Sequence, residues 1–205
     1  MTPLRSIPLL GLALAAAACG PKQVTWDEVR PPEAYLDSLP GGALLRVDGA
    51  DAGRTPLSIP VRDPGRTFEL RLEAPGFEPL ETRRGGSQLA GARVLLVLRP
   101  VGFGSQRRLD VEDPVGLVQA AAVLVKAGRP REALAFATAS VQAGDGAVAH
   151  RVAGDAWLQL GDRNRAAQEY SLYLSMAPGA PDRAAVEKAI AAARGDIALP
   201  VPRGE

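Results

Sequence analysis

PGGALLRVDGADAGRTP, residues 40–56, decides how the first half of the chain folds. Ala43, Leu45 and Val47 alternate with Leu44, Arg46 and Asp48, the period-two pattern of a strand buried on one side. Asp48-Gly49 and then Gly53 supply the positive φ angles that a reversal needs. Thr55-Pro56 restarts an extended run, Leu57 to Val61. The stretch holds no His, no Cys and no paired carboxylates. Its regularity is architectural.

Working toward the C-terminus, Asp63-Pro64-Gly65 is a turn. Phe68, Leu70, Leu72 and Ala74 then alternate with Thr67, Glu69, Arg71 and Glu73, the clearest strand in the chain. Pro75-Gly76 turns into a segment from Phe77 to Arg83, Gly85-Gly86 ends it, and ARVLLVLRP (92–100) gives a last, more buried strand. Short strands joined by Gly and Pro turns imply a small all-β sandwich over 40–100, a size that folds alone only marginally. These residues resemble the PEGA domain. Pro40-Gly41-Gly42-Ala43, Leu45-Arg46-Val47-Asp48-Gly49 and Gly53-Arg54-Thr55-Pro56 fit its pattern in order. LRLEAPGFEPLE (70–81) is similar to its later strand, Gly-aromatic turn and following strand. The resemblance implies a module of bacterial surface and envelope proteins with a binding role and no catalytic residues.

Toward the N-terminus, MTPLRSIPLLGLALAAAACG has one cation, Arg5, and then an apolar run from Ile7 to Ala18. The run is shorter than the roughly 20 residues a membrane span needs and suits a signal peptide over 1–18. Ala16-Ala17-Ala18-Cys19 resembles the lipobox of bacterial lipoproteins, with Ala16 where Leu is usual. The resemblance implies that Cys19 is acylated, and Gly20 after it favours the outer membrane. The other reading is ordinary secretion with cleavage after Ala-x-Ala. Residues 19–39, punctuated by Pro21, Pro31 and Pro32, read as a lipidated Cys and a tether. Trp26 and Tyr35 either pack on the β-domain or meet lipid head groups.

Beyond a linker at 101–112, Asp113-Pro114 is a helix start, with Asp as cap and Pro at the first helical position. Gly128 and Gly161 stand thirty-three residues apart, each between two helical stretches. This resembles the tetratricopeptide repeat (TPR). In the second block Gly154, Trp157, Ala166, Tyr170 and Pro178 take its positions, with Gly161-Asp162 at the turn. In the first, Ala121, Leu124, Ala133 and Ala137 do, and Asp145 stands where Pro is usual. Two hairpins over 113–180 are followed by a capping helix at 181–195 and a flexible tail at 196–205. The fold class is therefore α+β and multidomain: a small PEGA-like sandwich, then a TPR-like array. Two repeats and a cap are few, so the array leans on the β-domain or on another protein.

The 205 residues carry a formal net charge of +1, one Cys and one His. This balance argues against nucleic acid as a partner, and no set of residues suggests a metal, a cofactor or an enzyme. Arg83-Arg84 and Arg107-Arg108 read as solvated loops, and His150 as a packed structural residue. The TPR resemblance implies that the fifth, ninth and thirteenth positions line a groove. These are Val118, Ala122 and Lys126 in the first repeat and Arg151, Asp155 and Gln159 in the second. The expectation is a non-catalytic lipoprotein on the periplasmic side of the outer membrane that holds an envelope protein through its helices. The competing expectation is a PEGA-like module that binds peptidoglycan or surface polysaccharide.

Overall fold

Alternating apolar residues build the first half into strands. The computed structural model describes residues 30–104, 108–144 and 146–195. The leader, Cys19, Trp26, Arg107, Asp145 and the tail at 196–205 lie outside the described residues. The strands are β1 (Glu33–Leu39), β2 (Leu44–Val47), β3 (Ala50–Arg54), β4 (Leu57–Pro60), β5 (Thr67–Glu73), β6 (Leu80–Gly85) and β7 (Arg93–Val97). One sheet has the order β4-β1-β7, with β1 antiparallel to β4 and parallel to β7. The other, β3-β2-β5-β6, is antiparallel throughout. Ala34, Leu36, Ile59 and Leu96 of the first sheet share a buried core with Leu45, Leu70 and Leu72 of the second.

β1 corrects the tether expected over 19–39. Ala34, Leu36 and Ser38 are buried and alternate with exposed Glu33, exposed Tyr35 and half-buried Asp37. Pro31, Pro32 and Pro40 flank this strand without interrupting it, as prolines do at strand ends. Tyr35 lies on the outer face, with the Arg93 guanidinium 5.5 Å from its ring centroid. The buried Ser38 and Thr55 hydroxyls bond each other where β1 and β3 end. Pro40 and Pro56 follow cis peptide bonds at the same corner.

The quoted stretch forms the hairpin expected of it. Asp48 and Gly49 have φ of 51° and 82°, a two-residue turn whose twist matches the flanking strands. The Asp48 carboxylate fixes the turn by accepting from the Glu69 amide at 3.0 Å and from Arg66 at 2.9 Å. Gly53, at φ 128°, follows a register shift between β2 and β3 that leaves Ala52 as an extra, bulged residue.

Three expectations need correction here. The segment expected from Phe77 to Arg83 pairs with β5 only from Leu80, while buried Phe77 bridges Pro100 instead. Arg83 and Arg84 belong to β6 and not to a loop. Arg83 faces out beside Glu69, and Arg84 is half-buried on the other face. Past Gly85 the chain makes a single helical turn, α1 (Gly86–Leu89), that seats Leu89 fully in the core.

The second half is helical: α2 (Pro114–Lys126), α3 (Pro130–Gln142), α4 (Ala147–Gln159), α5 (Arg163–Met176) and α6 (Arg183–Arg194). Asp113 and Asp162 cap α2 and α5 by accepting from the Gly116 and Arg165 amides, each at 3.0 Å. Gly128 and Gly161 follow α2 and α4 with φ of 70° and 81°, the left-handed step that ends a helix and lets the next one fold back. The stretch 101–112 is more than a linker, since Leu109 is buried in the core. Among the described residues no helix is long and apolar enough to cross a membrane.

Candidate functional site

From Pro31 onward the chain is one compact unit, and its main core runs unbroken from Ala34 to Ala156. The join is made by the Pro75-Gly76-Phe77 turn. Phe77 stacks on Phe136 of α3, with ring centroids 6.0 Å apart and planes 9° from parallel. Arg129, between α2 and α3, donates to the Pro75 carbonyl at 2.7 Å and lies 4.6 Å from the centroid of the Phe77 ring. A side chain at Gly76 would collide with that guanidinium. The helices therefore lean on the sandwich.

On this platform two helices present their exposed stripes side by side. On α2, Val115, Gln119, Ala122 and Lys126 recur at three- and four-residue intervals and so share a face. Val115, Gln119 and Lys126 are exposed and Ala122 half-buried. Val118, expected on this face, is instead buried in the core. The stripe is rotated by about one residue because Leu117, Val118 and Ala121 are needed inside. On α4 the stripe is Val148, Arg151, Asp155 and Gln159. Gln159 donates to the Val125 carbonyl at 2.9 Å and so pins α4 to α2.

Arg151 and Asp155 are not free groups. Arg151 donates to Asp155 one turn along, and to Asp182, just before α6, at 3.1 Å. The Tyr170 hydroxyl donates to Asp155 at 2.6 Å, and the Tyr173 hydroxyl donates to Asp182. Burial, with the Asp155 hydrogen bond added, raises the Tyr170 pKa far above the usual phenol range. The bond to Asp182 raises that of Tyr173. The Tyr173 hydroxyl, helped by Arg151, lowers the Asp182 carboxyl. Burial works against the Arg151 charge, but Asp155 and Asp182 outweigh it and raise its pKa. At neutral pH the Tyr170 and Tyr173 hydroxyls therefore stay neutral donors, and Asp182 stays a carboxylate beside the Arg151 cation.

This network ties α4, α5 and α6 together, yet the Arg151 and Asp155 side chains keep 29% and 37% of their surface exposed. Asp182, Tyr173, Val115 and Gln119 did not emerge from the sequence. A three- and four-residue count along α2 could have found Val115 and Gln119. Nothing in the sequence pairs Asp182 with a residue thirty-one positions earlier.

The other positions singled out pack as their sizes require. Gly154 lies against the Tyr170 ring, Ala166 is fully buried, and Arg165 covers Trp157 at 4.5 Å from its ring centroid. Pro178 lies two residues beyond the end of α5. His150 Nδ1 is 2.7 Å from Glu169 Oε2, a second tie between α4 and α5. Ser140 donates to the Pro114 carbonyl, and Ser171 and Ser175 to carbonyls of their own helix.

The strands that carry the quoted stretch and the Gly76-Phe77 turn lie within one region of known type. Residues 32–84 match the PEGA domain family. The PEGA region thus starts one residue before β1, eight residues ahead of the expected boundary, and ends in β6. α1 and β7 continue the sandwich beyond it. Phe77, in the Gly-aromatic turn of the PEGA domain, is committed to α3 in this chain. No curated protein and no solved structure matches the chain.

Proposed function

We propose that this chain is a non-catalytic lipoprotein of the bacterial envelope. In this reading acylated Cys19 anchors it to the periplasmic side of the outer membrane, and α2 to α6, read as two tetratricopeptide hairpins and a cap, hold another envelope protein. The observation that carries the reading is the polar line of Gln159, Asp155, Arg151 and Asp182, fixed in place before any partner arrives, with exposed Lys126 beside it. Side chains already held in one geometry lose little entropy on binding, which favours recognition.

Lys126 is the residue with which to test the groove, because it is exposed and makes no ion pair among the described residues. Lys126→Glu should leave stability within about 0.5 kcal/mol, as surface substitutions do. It should reduce the yield of partner captured by cross-linking in intact cells. Equal capture of the same partner by the folded variant moves the binding surface off the helices. The anchor has its own test. Two acyl chains hold a protein on a membrane where one does not, so Cys19→Ala should shift the protein from the membrane to the soluble fraction. A variant that still fractionates with the outer membrane has another anchor.

The PEGA match favours a second reading, in which the sandwich binds peptidoglycan or surface polysaccharide and the helices support it. Co-sedimentation with purified, insoluble peptidoglycan separates the two. The assembly reading expects the protein to stay in the supernatant.

A further inference from the structure

Two hollows flank Arg108-Leu109, where the chain passes from the sandwich to α2. The first opens where β6 and β7 part. Glu78 and Arg99 are still joined there by an amide-to-carbonyl bond of 2.8 Å, after which the strands diverge as edges of different sheets. Its volume is about 210 Å³, and Leu80, Val97 and Leu109 give it apolar walls. The second, about 370 Å³, is lined by Phe103, Leu109, Val115 and Gln119. Arg108 borders both. Sites for whole small molecules run about 300–1,000 Å³. The first hollow is below that range and the second at its lower end, and two such spaces on either side of one residue suit successive side chains of a chain lying across them.

The charges sort themselves. Glu78 is taken by Arg99. Asp113, in the second hollow, is spent on capping α2. Arg108 is exposed and, unlike its neighbour Arg99, makes no hydrogen bond or ion pair among the described residues. Among the described residues that line the two hollows it is the one cation left for a ligand.

We infer that these hollows bind an extended acidic segment of a protein partner. One apolar side chain of the segment sits on Leu80, Val97 and Leu109, a carboxylate meets Arg108, and a second apolar side chain lies against Phe103 and Val115. A guanidinium–carboxylate contact is charge-assisted and supplies the direction. Val115 is also the first residue of the exposed α2 stripe, so a segment leaving the second hollow continues onto the groove face. The inference rests in that respect on the groove reading and names the chemistry of its partner.

The test is a titration of the full chain with N-acetyl-Leu-Glu-Leu-amide, followed by methyl NMR. The expected result is saturable shifts at Leu80, Val97, Leu109 and Val115. Both Arg108→Gln in the protein and Gln for Glu in the peptide should weaken binding about tenfold, the usual value of a hydrogen bond to a charged group. No shift at about 10 mM peptide, a Kd range worth less than about 3 kcal/mol, overturns the inference. So do equal affinity for the Glu and Gln peptides and shifts confined to other methyls. Loss of partner capture in Lys126→Glu cells, with no peptide shift at the hollows, leaves the groove standing and removes only the junction site.

Discussion

Phe136→Ala should cost about 4 kcal/mol, the range for truncating a fully buried Phe, and should uncouple the two halves of the protein. Phe136 has no exposed surface and stacks on Phe77, the residue by which the sandwich reaches the helices. Arg129 lies over the same Phe77 ring and holds the Pro75 carbonyl. Truncation removes the far wall of that contact and leaves a cavity in the middle of a continuous core. A domain has about 5–15 kcal/mol in all, so the loss is a large fraction of the total. Urea unfolding followed by the far-UV helical signal and by a strand-sensitive amide band should coincide in the wild type and split in the variant. Phe136→Leu should cost less and keep the transitions together, because it retains most of the volume. A Phe136→Ala protein that unfolds in one step within about 1 kcal/mol of the wild type would show that the halves stand independently.

Period-two and period-three-to-four patterns made most elements readable, since each element buries one face against a core. β5 has three alternating apolar residues, Phe68, Leu70 and Leu72, and a mostly charged opposite face, and it appears where the pattern places it. The helices were legible from their ends as well as their faces. Asp113-Pro114, Gly128 and Gly161-Asp162 carry start and stop signals set by backbone geometry alone. β1 was hidden because its flanking prolines resemble those of a tether, and its inner face is Ala34, Leu36 and Ser38. One Leu among small residues is a weak signal until β7, almost sixty residues later, supplies the neighbour. The parallel pairing of β1 with β7 is a long-range fact with no local mark.

The candidate site was legible only in part, for a related reason. Spacing along α4 put Arg151, Asp155 and Gln159 on one face, and they lie there. Spacing could not say that Asp182 and the Tyr170 hydroxyl would claim the two charges. The same step of one residue that displaced Val118 into the core brought Val115 and Gln119 out. A consensus position gives the face of a helix to within one residue, while burial of Leu117 and Ala121 fixes the rotation. The groove is thus better described as a braced surface than as a set of free polar groups, which is why Lys126 tests it more cleanly than Arg151.

Gly154→Val should destabilise the protein by about 3 kcal/mol, the upper end of ordinary overpacking. A Cβ at this position would lie within 2.9 Å of Cδ1, Cε1 and Cζ of Tyr170, well inside contact distance. The ring cannot swing aside. Its hydroxyl is held by Asp155, the Arg151 guanidinium is 5.4 Å from its centroid, and the side chain is almost fully buried. The strain must therefore separate α4 from α5, and with them the seat of Val186 on α6, which shares the Tyr170 cluster. Intrinsic preference runs the other way. Gly is worse than Ala in a helix interior by about 1 kcal/mol, so Gly154→Ala would stabilise an exposed helix and should destabilise this one. The double-mutant cycle decides the cause. With Tyr170→Ala already present, the space beside residue 154 is open, and Gly154→Val should then cost less than about 1 kcal/mol, a coupling of about 2 kcal/mol. If Gly154→Val costs as much in the Tyr170→Ala background as in the wild type, the glycine is needed for some reason other than the approach of the Tyr170 ring.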